Sequence, residues 1–448
     1  MRSGFFSGTI TGVDQPPDDK DVVSADPEQG SVQAQVIGLT HFKRLLPLLH
    51  RLDDVGRERD GAGNRTLLMG DYCAVVMLYL FNPMIDSLRS LQRTLGLNPV
   101  AKALGVKRFS LGSFSESVRV FDPQRLKPII EELAGELAPL SRDPRLAELK
   151  HALTLVDGSV LQGLCRLTGA ACAQTRYCTA KDGRSMHGWR LHMQLDLETF
   201  CPHKTELTGA NKLGEGGEAH VLRQSLEPGR CYVGDGGYAD RGLFDAIVAA
   251  GGSYVVRMRE DSVFEVLEER TLSQEALDAN LTRDALVRLT GATGTTSHTV
   301  RLIMVQVQPH PRRTRKIQPG SNKTTRHTDV LLIATNLIDL PAELVALIYR
   351  YRYSVELFFR LFKQLLGLRH LLSQRKEGVE IQVYCCVIAC MLINLQTGKK
   401  PDKALIQMLG FYLLGLATEQ DVIDHLNKPD NTGVKLNAKA ELWEKLGF

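Results

Sequence analysis

The stretch PAELVALIYRYRYSVELFFRLFKQLLGL, Pro341–Leu368, decides how the rest of the chain is read. Asp339 is placed to cap its start, and Pro341 suits a first helical turn. No glycine and no second proline interrupts the apolar spacing before Gly367, so the spacing predicts one helix of several turns. Within it Tyr349, Arg352, Glu356 and Lys363 stand at offsets of three, seven and fourteen residues. At about 100° per residue these four share a sector of roughly 60°. Leu347, Val355, Phe358, Phe359, Phe362 and Leu366 fill most other directions with core material. A phenol, a guanidinium, a carboxylate and an ammonium on one stripe of a mostly buried helix suit an anionic, metal-bound ligand. An amphipathic helix with a solvated polar stripe is the plainer alternative.

Length and composition narrow the classes. At 448 residues, 43% hydrophobic and 24% charged, the chain has the make-up of a soluble globular protein with two or three units. The net charge of +4 is a weak global pointer to a polyanion, and its local distribution matters more. No apolar run follows a basic start, so no secretory signal is expected. The longest apolar runs, Tyr72–Phe81 and Val383–Ile393, read as buried helices too short to span a bilayer. Nine cysteines without regular spacing fit a reduced, cytosolic protein.

In chain order, residues 1–35 are polar and aperiodic and read as a disordered tail. Residues 36–150 read as helical, with candidates Gly38–Leu52, Gly70–Leu80, Met84–Leu95 and Pro123–Leu137. Between the last two, AKALGVKRFSLGSFSESVRVFD is of helix–turn–helix size and carries Lys102, Lys107, Arg108 and Arg119. Those groups suit either phosphate contacts or a solvated surface. From His151 the period changes. LTLVDG reads as a central strand bringing Asp157 near its end, WRLHMQLDLET and KTELTG as two more strands, and EAHVLRQSL as a helix. CYVG is a strand opening at Asp235 into a glycine loop; RGLFDAIVAAG is a helix and SYVVRMR a strand.

The β-rich segment 260–329 contains the strand TVRLIMVQVQ and then a run holding Arg312, Arg313, Arg315, Lys316, Lys323 and Arg326 with no acid among them. It reads either as a loop over a phosphate backbone or as a solvated basic loop. VLLIATNL leads back into the opening helix, and residues 399–448 read as a C-terminal helical segment. Cys165, Cys172, Cys178, His187, His192 and Cys201 fit no common zinc spacing. GEGGEAH lacks the Lys-Ser/Thr of a phosphate loop and reads as a turn.

The gap-free spacing Tyr349-x2-Arg352-x3-Glu356-x6-Lys363 resembles the signature around the last catalytic acid of DDE transposases of the insertion-sequence-four type. The resemblance covers residues 36 to 400 and is strongest from Val330 to Leu395. It implies an α/β fold: a ribonuclease-H-like mixed sheet with flanking helices, interrupted by the β-rich insertion and preceded by an all-helical DNA-end-binding domain. The core would comprise residues 151–259 and 330–398. Asp157 and Asp235 match the first two catalytic acids and Glu356 the third; by resemblance Asp157 bridges two Mg²⁺ ions (Mn²⁺ as substitute), with Asp235 and Glu356 each holding one. Tyr349, Arg352 and Lys363 would touch DNA, as would Arg312, Arg313, Arg315, Lys316, Lys107 and Arg108.

Two departures stand out: Tyr353 takes the place of the family's common Trp, and no Trp lies between Glu260 and Asp329, which leaves a hairpin step open. The implied function is a cytoplasmic, nucleoid-associated bacterial endonuclease that cleaves at inverted repeats and joins the ends to target DNA, working as a homodimer. A ribonuclease-H-like nuclease without joining and a non-catalytic DNA-binding protein are the rivals.

Overall fold

Alternation of apolar side chains builds the sheet around β1 (Ala152–Gln162). Leu153 and Leu155 are buried on one face and Thr154 and Val156 on the other, the mark of a strand covered on both sides. The computed structural model describes residues 47–54, 66–82, 84–107, 109–140, 143–162, 188–209, 216–259, 261–291, 295–307, 330–365, 371–373, 375–398, 400, 403–413 and 416–427. The expected tail, most of Gly38–Leu52, Arg108, the basic run from Arg312 to Arg326, Cys165, Cys172, Cys178, His187 and the chain beyond 427 lie outside the described residues.

The fold is mixed α/β on a nine-stranded sheet of order β3-β2-β1-β4-β5-β9-β8-β7-β6. β2 (Gly188–Asp196) and β3 (Cys201–Gly209) run antiparallel beside β1. On the other side of β1, β4 (Arg230–Gly234) and β5 (Ser253–Arg257) are parallel to it. β9 (Val330–Thr335) closes antiparallel on β5. The β-rich segment supplies β6 (Phe264–Arg270), β7 (Leu281–Leu289) and β8 (Val300–Gln306). These do not form a separate layer: β8 pairs with β9, so they extend the same sheet.

Among the described residues, the helices before β1 include α1 (Met69–Phe81), α2 (Leu88–Leu95), α3 (Asn98–Leu104), α4 (Leu111–Ser117) and α5 (Lys127–Glu136). The expected helix Met84–Leu95 starts later, where Ser87 caps it by accepting from the Ser90 amide. Between β3 and β4 lies the short α6 (Glu218–Arg223), between β4 and β5 α7 (Arg241–Ala249), and between β6 and β7 α8 (Gln274–Asp278).

Where one helix was expected over Pro341–Leu368, there are two, α9 (Ala342–Tyr351) and α10 (Tyr353–Leu365), joined at Arg352. Asp339 is not the cap; Pro341 is, with no side-chain bond. At the joint the Arg352 amide reaches the Tyr349 carbonyl at 3.0 Å and the Val355 amide the Arg352 carbonyl at 3.2 Å. Both are three-residue closures, a local tightening of the helix. α11 (Lys376–Thr397) follows, then α12 (Lys403–Leu413) and α13 (Glu419–Asn427).

α10 buries Val355, Phe358, Phe359 and Phe362 in the core that holds Leu153, Leu155, Val233 and Val255 of the sheet. α11 is the central helix of this layer, packed against α1, α5 and β3. Lys376–Leu395 is long and apolar enough to cross a membrane, but 89% of that window is buried inside the fold, which makes it a core helix.

Candidate functional site

Register brings the first two acids together. The last parallel pair of β1 and β4 is Leu155 with Val233, so Asp157 stands two residues past it within β1 and Asp235 two residues past it, just beyond β4. Leu155 and Val233 share the core under α10, and the two acids keep that parity. They sit just past the end of the parallel ladder, where α/β sheets collect their ligands. β1 continues past Asp157 against β2, where Asp157 faces Met193, so Asp157 is mid-strand and not at the strand's end; only the parallel ladder stops before it.

Arg257 is the next member of the row. Val233 pairs with Val255, which puts Arg257 level with Asp235 at the end of β5. Sequence reasoning missed Arg257, because only pairing across three strands reveals it. α10 supplies the opposite wall. Asp157, Ser159, Glu356, Phe359, Arg360 and Lys363 line one open cleft of about 290 Å³. Arg360 and Ser159 were also missed, although Arg360 is one turn beyond Glu356 on the same helix.

Charges in the cleft are coupled. Burial raises the Asp157 carboxyl to about 6, with the charges of Asp235 and Glu218 adding to the rise; the Gly158 N–H and Arg352 oppose it. The Gly158 amide donates to Asp157 Oδ1 at 2.8 Å, and the Gly237 amide donates to Asp235 Oδ1 at 2.8 Å. Arg352 Nη2 donates to Glu356 Oε1 at 2.6 Å, and its guanidinium lies 6.0 Å from the Tyr349 ring centroid. Burial lowers the Lys363 pKa while Asp157 pulls it back up. The stripe thus crosses a joint between two helices: Glu356 and Lys363 line the cleft, Arg352 reaches it through its bond to Glu356, and Tyr349 lies behind Arg352.

Carboxylate oxygens are what hard divalent cations take, and half-buried Asp157, crowded by Asp235 and Glu218, gains most from a neighbouring positive charge. The donor chemistry fits such an ion. Among the described residues, no group of three or more His, Cys, Asp and Glu side chains is close enough to hold a metal as it stands; in this state Arg352 holds Glu356. Elsewhere, His192 Nε2 pairs with Thr208 Oγ1 at 2.9 Å and Cys201 is buried beside Asn394, so both serve packing. Lys107 is exposed in the turn between α3 and α4.

A family profile described as the transposase DDE domain matches residues 149–392, from just before β1 to within α11. A Sinorhizobium fredii (strain NBRC 101917 / NGR234) protein named "Putative transposase y4zB" is 28% identical over 265 residues, 59% of this chain and 65% of that protein. The alignment therefore spans a little under two thirds of that relative. With more than half of its length matched, including Asp157, Asp235 and the helix of Glu356, the chain belongs to the transposase DDE domain family.

Proposed function

We propose that the chain is a DNA transposase of the insertion-sequence-four type that binds the terminal inverted repeats of its own element. It cleaves at their ends and joins the freed 3′ hydroxyls to target DNA. The observation that carries this is one cleft lined by Asp157, Glu356, Arg360 and Lys363, with Asp235 and Arg352 close enough to act on the charge of Asp157 and Arg352 bonded to Glu356. Acids alone would suit many hydrolases. Acids ringed by cations suit a phosphodiester, whose charge must be gripped on both sides of the reacting phosphorus.

On this reading Asp157, Asp235 and Glu356 would hold the Mg²⁺ ions. Such ions, when bound, activate the oxygen nucleophile and stabilise the leaving 3′ oxygen. The chain's own cations position the DNA: Lys363 and Arg360 from α10, Arg352 from the helix joint, and Arg257 from β5. Tyr349 presents its ring to the Arg352 guanidinium, 6.0 Å from the ring centroid. Three antiparallel strands followed by two parallel ones around Asp157 support a ribonuclease-H-like core, and α1–α5 with Lys107 support a helical DNA-end-binding domain. Cutting both element ends together calls for a homodimer on DNA.

Incubating the purified protein with duplexes carrying the element's ends and Mg²⁺ tests this reading. Nicks at the element boundary and products joined to a second duplex are expected for the wild type, and neither for Asp157→Asn. Hydrolysis with no joined product would make the protein a nuclease, and activity retained in Asp157→Asn would remove the proposed centre.

A further inference from the structure

α6 carries a fourth acid that no part of the cleft explains. Glu218 Oε1 is ion-paired with Nη1 of Arg190, a β2 side chain only 3% exposed. A Cβ at Gly158 would stand 2.6 Å from Glu218 Oε1 and 3.1 Å from its Cγ. A Cβ at Gly237 would collide with Glu218 Oε2 and stand 3.0 Å from Asp235 Oδ1. One carboxylate therefore occupies the space vacated by two glycines, one directly after Asp157 and one two residues after Asp235. Side chains alternate along β1, so Gly158 turns its vacant side to the face opposite Asp157. Glu218 reaches that face from behind the sheet, where Leu222 of α6 packs in the second core with Val156 and Tyr238.

From this geometry we infer that Glu218, clamped by Arg190, is a positioning residue: its carboxylate is the spacer that fixes the β1 segment of Asp157 against the loop of Asp235, and so sets the separation at which those two acids take divalent cations. This rests on the reading of Asp157 and Asp235 as the cation-holding pair. The two glycines follow from it, since any larger residue would push the spacer out. A mere stabilising ion pair would need Arg190 but would not need glycine on both acid-bearing segments.

The test uses the full-length protein and Mn²⁺, with binding measured by electron paramagnetic resonance in the absence of DNA, alongside cleavage of an element end and thermal melting. Glu218→Gln is expected to weaken Mn²⁺ binding and slow cleavage by about 10–100-fold, the range for supporting groups behind metal ligands, with DNA affinity in chelator unchanged. Gly158→Ala is expected to do the same, and to cost little further once Glu218 is Ala, because both of its shortest contacts, each to Glu218, are then gone. Arg190→Gln/Glu218→Gln, which leaves no unpaired buried charge, should melt near the wild type yet retain the Mn²⁺ defect. Wild-type Mn²⁺ affinity in Glu218→Gln, or a double variant that binds Mn²⁺ normally, would overturn the inference while Asp157→Asn still abolished cleavage. A wild type that neither binds Mn²⁺ nor cleaves would overturn the inference and the proposed function together.

Discussion

Asp157 is the side chain whose environment works against its own charge. Its folded pKa of about 6 exceeds the ordinary 3.8 through burial first and neighbouring acids second. The folded state therefore binds the extra proton between those values, and stability falls as pH rises through that window. Above pH 6 the full penalty is present, and below about 3.8 it is absent. Asp157→Asn should accordingly raise stability in chelator at pH 7 by about 1–3 kcal/mol, with the gain vanishing below pH 4 in melts across the range. Equal stability of the two proteins at pH 7 would contradict the crowding of charge at this residue. Arg352 competes for Glu356 at 2.6 Å, so Arg352→Gln is expected to tighten Mn²⁺ binding several-fold without DNA while weakening DNA binding. For Lys363→Ala, the slope of log affinity against log salt should drop by about one unit; an unchanged slope would take Lys363 off the phosphates. The spacing of Tyr349, Arg352, Glu356 and Lys363 was readable because it lies within one stretch of chain. Glu218, Arg190 and Arg257 were not, since they meet the acids only across strands, and no local spacing records that.

The chain order of strands and helices from β1 to β5 followed from period changes in the sequence; Asp235 marks where β4 gives way to a loop, whereas β1 runs on past Asp157. Two features escaped. β6 is an edge strand whose Glu265, Val266, Leu267, Glu268 and Glu269 are all exposed, so no apolar alternation announces it. The joint at Arg352 has neither Gly nor Pro beside it, so nothing local marks the change from α9 to α10. Placement of that joint depends on what anchors α9. Arg301 of β8, 2% exposed, donates to the carbonyls of Leu337 at 3.1 Å, Ile338 at 3.0 Å and Leu340, and to Asp284 Oδ2 at 2.7 Å. One guanidinium ties the β-rich segment to the turn that launches the Glu356 helices. Arg301→Leu should destabilise by about 3–5 kcal/mol, because it strands a buried carboxylate. Adding Asp284→Leu should recover part of that loss in denaturant unfolding; a double variant no more stable than Arg301→Leu would argue against the ion pair as the cause.

Across the whole molecule, one sheet gathers segments almost 200 residues apart in sequence: Asp157 on β1, Asp235 beyond β4, and Glu356 on the helix that β9 launches. The sequence offered three separate acids and a mixed α/β pattern; what it could not offer was that β6–β8 widen the sheet instead of forming their own unit, because strand partnership is a property of distant chain. On the proposed function these three carboxylates come together on a pair of divalent cations against a DNA phosphate. This is tested most directly by solving the protein bound to an element-end duplex with Mn²⁺ and locating the metal by anomalous scattering. The account expects two Mn²⁺ sites about 3.5–4 Å apart, both touching Asp157, one shared with Asp235 and the other with Glu356, and Arg352 turned from Glu356 to a phosphate. A DNA complex with no metal at Asp157, or with Glu356 still held by Arg352 and out of reach of any ion, would contradict it.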